Sequence, residues 1–297
     1  MKHLKISMAL VFSILILTSC GSNQKKEKQS DTTFDMADYI ATAEAIDPNL
    51  NKVDQVFKIL DLVNAEYNDV LTNDPYSAHN YKFSYSIAAV NLGVYMTDIL
   101  YHHYGGNDES LYLSFAAAQE LAKYIGVQSE FGAFTIEGMT GTTVNRDTIS
   151  RLFNGLLRDS EKYNNEKEMI FVHTSFLVGS FVEKVFISSN LLAEKLAGKE
   201  LTKEQEADIR ELLVIYLNQL NPSTGLLADA LEKQQDQLQG MVAITTFERL
   251  KELSEKLKAV KTTLAVAPIS EIAANQDLQT TFSLISNLRT VIITAGE

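Results

Sequence analysis

An all-α fold is the class this sequence predicts: a multi-helix bundle of antiparallel helix pairs behind a lipoprotein signal peptide. Three observations carry the prediction. Apolar residues from position 34 onward recur with a 3.6-residue period, and no sustained period-2 alternation appears. Helix breakers are sparse, with 4 Pro in 297 residues, three of them in or beside apparent turns. Hydrophobic residues make up 45% and charged residues 22%, the balance of a globular chain large enough to bury a core without disulfide or metal staples.

The elements follow in order. Lys2 and Lys5 precede the apolar run Met8–Leu17, which is the size of a signal-peptide core and too short to span a bilayer of roughly 30 Å. Leu17-Thr18-Ser19-Cys20 then resembles the bacterial lipoprotein signal, with Cys20 as the lipidated residue. Acyl chains on one Cys give firm anchoring, at about 0.8 kcal/mol per buried CH₂. Residues 1–19 are thus expected to be a signal peptide. Residues 20–33, without a large apolar side chain, read as a flexible tether. Gly21 in place of Asp, and no acidic tract after Cys20, favour the periplasmic face of the outer membrane.

Residues 34–297 are read as the helical domain, whose change in composition divides it into an aromatic-rich first half and a plainer helical second half near 165–200. All twelve Tyr precede residue 217, and the end of the chain favours Leu, Ala, Lys, Glu and Gln. Asp35 caps a short helix, and Asp47-Pro48-Asn49 breaks it. Val53, Val56, Phe57, Leu60, Val63 and Tyr67 form the stripe of a second, and Asn73-Asp74-Pro75 is a turn. A third helix is expected from His79 to Tyr104, stopping at Gly105-Gly106; a fourth runs from Asn107 to Gly126. The Gly- and Thr-rich stretch 128–144 reads as a long loop. Asn145 caps a fifth helix to about Tyr163, and a long apolar sixth covers about 166–196. Thr202 and Gln205 form a capping box for a seventh, expected to end before Asn221-Pro222. An eighth covers 226–264 with a break near Gly240, and a last one about 273–294. In the eighth, Leu250, Leu253, Leu257, Val260 and Leu264 make a short seam suited to packing within a bundle. The helix pairs invite comparison with helical-repeat proteins, although no repeat of about 34 residues is evident.

Composition excludes several functions. The formal charge of −12 argues against sequence-independent nucleic-acid binding, which needs clustered Lys and Arg. A single Cys excludes an internal disulfide and Cys-based zinc or iron–sulfur sites. There is no GxSxG elbow, no HExxH and no paired Rossmann glycines, and Gly138–Thr143 lacks the Lys of a phosphate loop. No cofactor and no metal site are expected.

The third helix holds the candidate site. At 100° per residue, Ser84, Asn91, Tyr95, Asp98 and His102 fall within about 60° of one another, flanked by apolar residues. In the plainer reading, Asn91, Tyr95 and Asp98 bind neighbouring backbone in a core. In the chemical reading, Asp98 is an acid/base or ligand group with His102 as its partner at i+4. That pair alone falls short of the three protein ligands usual at a catalytic metal. Glu183 lies on an apolar face of the sixth helix, with Lys184 and Lys195 off that face. It either meets Asp98 and His102 in a site or sits at a helix-pair boundary. His173, inside an apolar run, reads as a core histidine. Eight Tyr between 76 and 124 either pack the core or line a pocket for a small apolar ligand.

The core Asn91-Leu92-Gly93-Val94-Tyr95-Met96-Thr97-Asp98, with Leu121-Ala122-Lys123-Tyr124-Ile125-Gly126 after it, resembles a group of helical lipoproteins of Bacteroidota over about residues 81–126. The resemblance implies a helical envelope lipoprotein and brings no activity with it. The expected function is therefore a lipid-anchored periplasmic binding or scaffold protein, held to the membrane at Cys20 and facing an envelope protein, peptide or glycan. The alternatives are a hydrolase-like or metal-assisted enzyme using Asp98, His102 and Glu183, or a carrier of a small apolar ligand.

Overall fold

The structure, a computed structural model, describes residues 64–127, 146–161, 171–197, 201–233, 241–260 and 262–295. The signal peptide, Cys20, the tether, the first expected helix and the 128–144 loop lie outside the described residues. So does most of the second expected helix; its end, Asn64–Tyr67, is not helical.

The chain is all-α, and no strand occurs among the described residues. Helix α1 is Tyr85–Gly105, α2 Asp108–Ile125, α3 Arg146–Glu161 and α4 Phe171–Ala197. Then come α5 Lys203–Lys233, α6 Met241–Ala259, α7 Ile269–Ala274 and α8 Gln276–Ile293. Short 3-10 turns occupy Asp69–Leu71, Pro75–Tyr81 and Thr262–Val266.

Caps set most boundaries. Asp74 accepts from the Tyr76 amide with Pro75 at the first position, so the predicted turn opens a 3-10 turn. Helix α1 begins six residues later than expected from His79, because the Ser84 hydroxyl caps it by accepting from the Ile87 amide. Ser84 is consequently a cap and no member of the buried stripe. Gly106 ends α1 in the left-handed conformation, φ 66°, and Asn107 caps α2 by accepting from the Ser110 amide. Only that two-residue link separates α1 and α2, which pack together as a helical hairpin. Thr202 and Gln205 form the expected reciprocal box, at 3.2 and 2.9 Å.

Two boundaries differ from expectation. Helix α5 runs through Asn221-Pro222-Ser223-Thr224-Gly225. Interior Pro removes one backbone hydrogen bond, but the buried seam is continuous across it: Leu213, Tyr216, Leu217, Leu220, Thr224, Leu227 and Leu231. The Thr224 hydroxyl also donates to Leu220 O at 2.7 Å. Tertiary burial overrides the local breaker. The last expected helix, about 273–294, is α8; its start is set by Asn275, which leaves the helical conformation and caps α8 by accepting from the Leu278 amide, and the short α7 precedes it.

Helix α4 is the centre. It packs against α1, α3, α5, α7 and α8, and its residues are buried on nearly every side. A helix apolar around its girth belongs in a core, which is why its length and hydropathy alone would also let it cross a membrane. Helices α1 and α4 cross in near-backbone contact. A Cβ on Gly93 would collide with Phe176 O and Ser180 N, and one on Gly179 with Val90 O. The Thr97 hydroxyl contacts Ser180 O at 3.2 Å across the same crossing. The seam Leu250, Leu253, Leu257 and Val260 is buried as α6 packs between α5 and α8, so it serves the bundle.

Candidate functional site

The polar stripe of α1 faces inward. Asn91, Tyr95 and Asp98 have no exposed surface and His102 is 2% exposed. Buried polar groups require partners, and here most come from a strap, residues 64–81, laid across α1. The Asn68 amide donates to Tyr101 Oη at 2.9 Å and the Asn73 amide to Asp98 Oδ2 at 3.1 Å. Tyr95 Oη donates to Asp74 O at 2.7 Å, and Tyr104 Oη to Ala65 O at 3.2 Å. Asn73 Nδ2 donates to Tyr81 Oη at 3.2 Å, and Tyr81 Oη in turn to Ile293 O at 2.8 Å. Asn91 Nδ2 reaches Ile87 O and Ile292 O at 3.1 and 3.3 Å, fixing the end of α8.

The tyrosines near the strap therefore act as core rings with polar tips that stitch irregular backbone. Ring centroids of Tyr81 and Tyr95 lie 6.3 Å apart, and those of Tyr67 and Tyr101 5.1 Å. Such contacts fill space by aromatic packing.

Asp98 and Glu183 do come together. Glu183 projects from α4 with no exposed surface, and its carboxyl lies close enough to that of Asp98 for each to act on the other's proton. Arg289 of α8 clamps Glu183 with Nε to Oε2 at 2.8 Å and Nη2 to Oε1 at 2.9 Å. This is the bidentate geometry in which guanidinium and carboxylate pair best. Arg289 Nη2 also donates to Leu71 O of the strap at 3.3 Å, and its guanidinium lies 4.3 Å from the Phe186 ring centroid. Asp98 Oδ1 is buried, and among the described residues no hydrogen bond reaches it.

Burial pushes the Asp98 carboxyl well above the usual carboxylate range, and the Glu183 carboxylate pushes it further; Arg289 and the Asn73 amide oppose without cancelling. Glu183 is also raised by burial, but Arg289 and the bond from Asp98 pull it back.

His102 belongs to a separate network. Its Nδ1 lies 2.8 Å from Tyr67 Oη and its Nε2 3.1 Å from Ser114 Oγ. Asn107 Nδ2 donates to the same Tyr67 oxygen at 3.1 Å. Burial lowers its pKa to about 4, so the ring is neutral at pH 7. The expected Asp98–His102 partnership is not formed. His173 is buried, as a core histidine would be. No group of three or more His, Cys, Asp or Glu side chains that could hold a metal occurs among the described residues.

Sequence reasoning missed Arg289 as the partner of Glu183 and looked instead to Lys184 and Lys195. The signal was present in α8: Leu278, Phe282, Ile285, Arg289 and Ile292 follow a 4-3-4-3 spacing, so Arg289 stands in an apolar seam and needs a buried acid. No family model, curated protein or solved structure matches the chain.

Proposed function

We propose that this chain is a lipid-anchored helical binding or scaffold protein of the cell envelope, attached through Cys20 and held at the periplasmic face of the outer membrane. One observation carries the choice against an enzyme. Asp98 and Glu183 have no exposed surface, and His102 is engaged elsewhere. A general acid or base must come within hydrogen-bond reach of the group it serves. Among the described residues, the neighbours of these carboxyls are each other, Arg289 and strap backbone. The tyrosine rings pack on one another, which supports a solid core over a carrier cavity. The anchor rests on the Leu17–Cys20 signal and the tether after it, and the resemblance over residues 81–126 agrees with an envelope lipoprotein.

Two measurements test the proposal. Cells fed a clickable fatty acid should label the native chain and leave Cys20→Ala unlabelled; equal labelling would remove the anchor. Photo-crosslinking residues placed at the exposed Tyr76 and Phe83 should give discrete adducts in the envelope. Hydrolytic turnover by the full chain that disappears in Glu183→Gln, while folding is retained, would overturn the scaffold reading.

A further inference from the structure

We infer that Asp98 and Glu183 together hold one proton, and that this proton latches the 64–81 strap onto α1, α4 and α8. The argument begins with charge counting. Two carboxyls and one guanidinium occupy a site in which Asp98 and Glu183 have no exposed surface and Arg289 is 8% exposed. Arg289 spends both donors of its fork on Glu183. Asp98 receives one backbone N–H, at Oδ2, and among the described residues no donor reaches its Oδ1. Two neighbouring carboxylates buried away from water repel, and a hydrogen bond from the bare Oδ1 to the other carboxyl needs a proton on one of them. Glu183 has the cation, so the proton resides on Asp98, which donates from Oδ1 to Glu183. With that proton the site is neutral and every polar atom of the two carboxyls has a partner.

Among the described residues, no other group acting on the site supplies a compensating charge. From the strap, Tyr67 and Tyr81 face it with phenols, and Asp69 and Asp74 add negative charge from further off. From α1, Tyr95 faces it with a phenol whose proton is held firmly by burial, and His102, a turn beyond Asp98, is neutral. From α4 and α8, Glu183 and Arg289 act on it.

The strap is what this proton controls. It touches the site twice, through the Asn73 amide on Asp98 and through Leu71 O on Arg289. Its own regular structure is limited to two 3-10 turns, so it is the covering element that lifts at the lowest cost. When the proton leaves Asp98 for solvent, two carboxylates face one guanidinium in a dry site. Hydrating the second carboxylate requires water to enter, and lifting the strap admits it. Alkaline conditions therefore release the strap while the helices stay packed.

Asp98→Asn tests this directly, because an Asn amide donates where the protonated carboxyl does and cannot ionise. The full chain in detergent micelles is examined by infrared spectroscopy and by hydrogen exchange corrected for intrinsic rates. At neutral pH the native chain should show a protonated-carboxyl band that Asp98→Asn lacks. On raising the pH, native strap peptides should exchange at least tenfold faster while α4 peptides do not, and in Asp98→Asn the strap should stay protected. A missing band, or one that persists in Asp98→Asn, overturns the shared proton. A band that titrates without faster strap exchange overturns the latch. Should Asp98→Asn fail to fold, the native chain alone decides: loss of the band and strap release must share one pH midpoint, and two separate midpoints overturn the proposal.

Discussion

Arg289 shows how one side chain can be correct chemically and still look misplaced in a seam. Its neighbours at the same helical positions are apolar, and its guanidinium is tolerated only because Glu183 meets it bidentately and Leu71 O takes a further hydrogen. Removing one partner of a buried pair costs about 3–5 kcal/mol, because the other charge is left uncompensated. Arg289→Met should lose stability on that scale in urea unfolding of the full chain in detergent. Combining Arg289→Met with Glu183→Gln should recover much of the loss, since coupled neighbours are not additive. A loss below about 1 kcal/mol would mean the pair behaves as a solvated surface bridge. The meeting of Asp98 with Glu183 was one of two readings the sequence left open, the other being a carboxyl at a helix-pair boundary, because an apolar face shows that a carboxyl is buried but not what it meets. The separation of His102 was not legible. The i+4 spacing from Asp98 places both on one helix face, but the partners that claim His102, Tyr67 and Ser114, come from the strap and from α2. Spacing along one helix carries no information about what the neighbouring elements present to it.

At the scale of elements, the crossing of α1 and α4 places the carboxyl pair. Gly93 and Gly179 let the two backbones touch, which brings Asp98 and Glu183, each one turn further along, within reach of one another. Overpacking a well-packed site costs about 1–3 kcal/mol, and here the obstructing atoms are backbone. Gly93→Ala and Gly179→Ala should each destabilise by that amount or more. Gly225→Ala should do the reverse, gaining about 0.5–1 kcal/mol of helix propensity. The nearest heavy atom to a Cβ there is Ser254 Oγ at 3.8 Å, an ordinary contact. Thermal unfolding of the three variants checks the contrast in sign; a stabilised Gly93→Ala would refute the close crossing. Caps were the most readable features at this scale, as with Asn107 and the Thr202–Gln205 box, because their chemistry is local. The stop expected at Asn221-Pro222 was misread for the converse reason. A run of turn-forming residues is a local signal, and the seam from Leu213 to Leu231 that carries α5 through it is tertiary.

Over the whole molecule, two buried titrating groups give stability opposite slopes with pH. His102 has a folded pKa near 4 against 6.5 when unperturbed. A base depressed by folding stays neutral in the native chain while the unfolded chain takes up a proton. Its contribution is complete above about 6.5 and is lost as the pH falls towards 4. Asp98 behaves inversely. An acid raised by folding keeps a proton that the unfolded chain releases above 3.8, so its contribution is fullest below 3.8 and is lost as pH rises through the folded value. The formal charge of −12 adds self-repulsion that acidification relieves, and this background is shared by any variants that leave the surface unchanged. The two slopes can therefore be separated by substitution. Between pH 6.5 and 4.5, His102→Gln should lose less urea stability than the native chain, because a group that favours unfolding by taking up a proton there has been removed. Asp98→Asn should lose more, because the compensating rise from Asp98 is gone and the His102 contribution is opposed less. An unchanged dependence of unfolding free energy on urea would show that the same surface is exposed in each case. Parallel pH curves for the native chain and both variants would mean that neither group titrates differently on folding, and the separation of the His102 network from the carboxyl pair would lose its thermodynamic support.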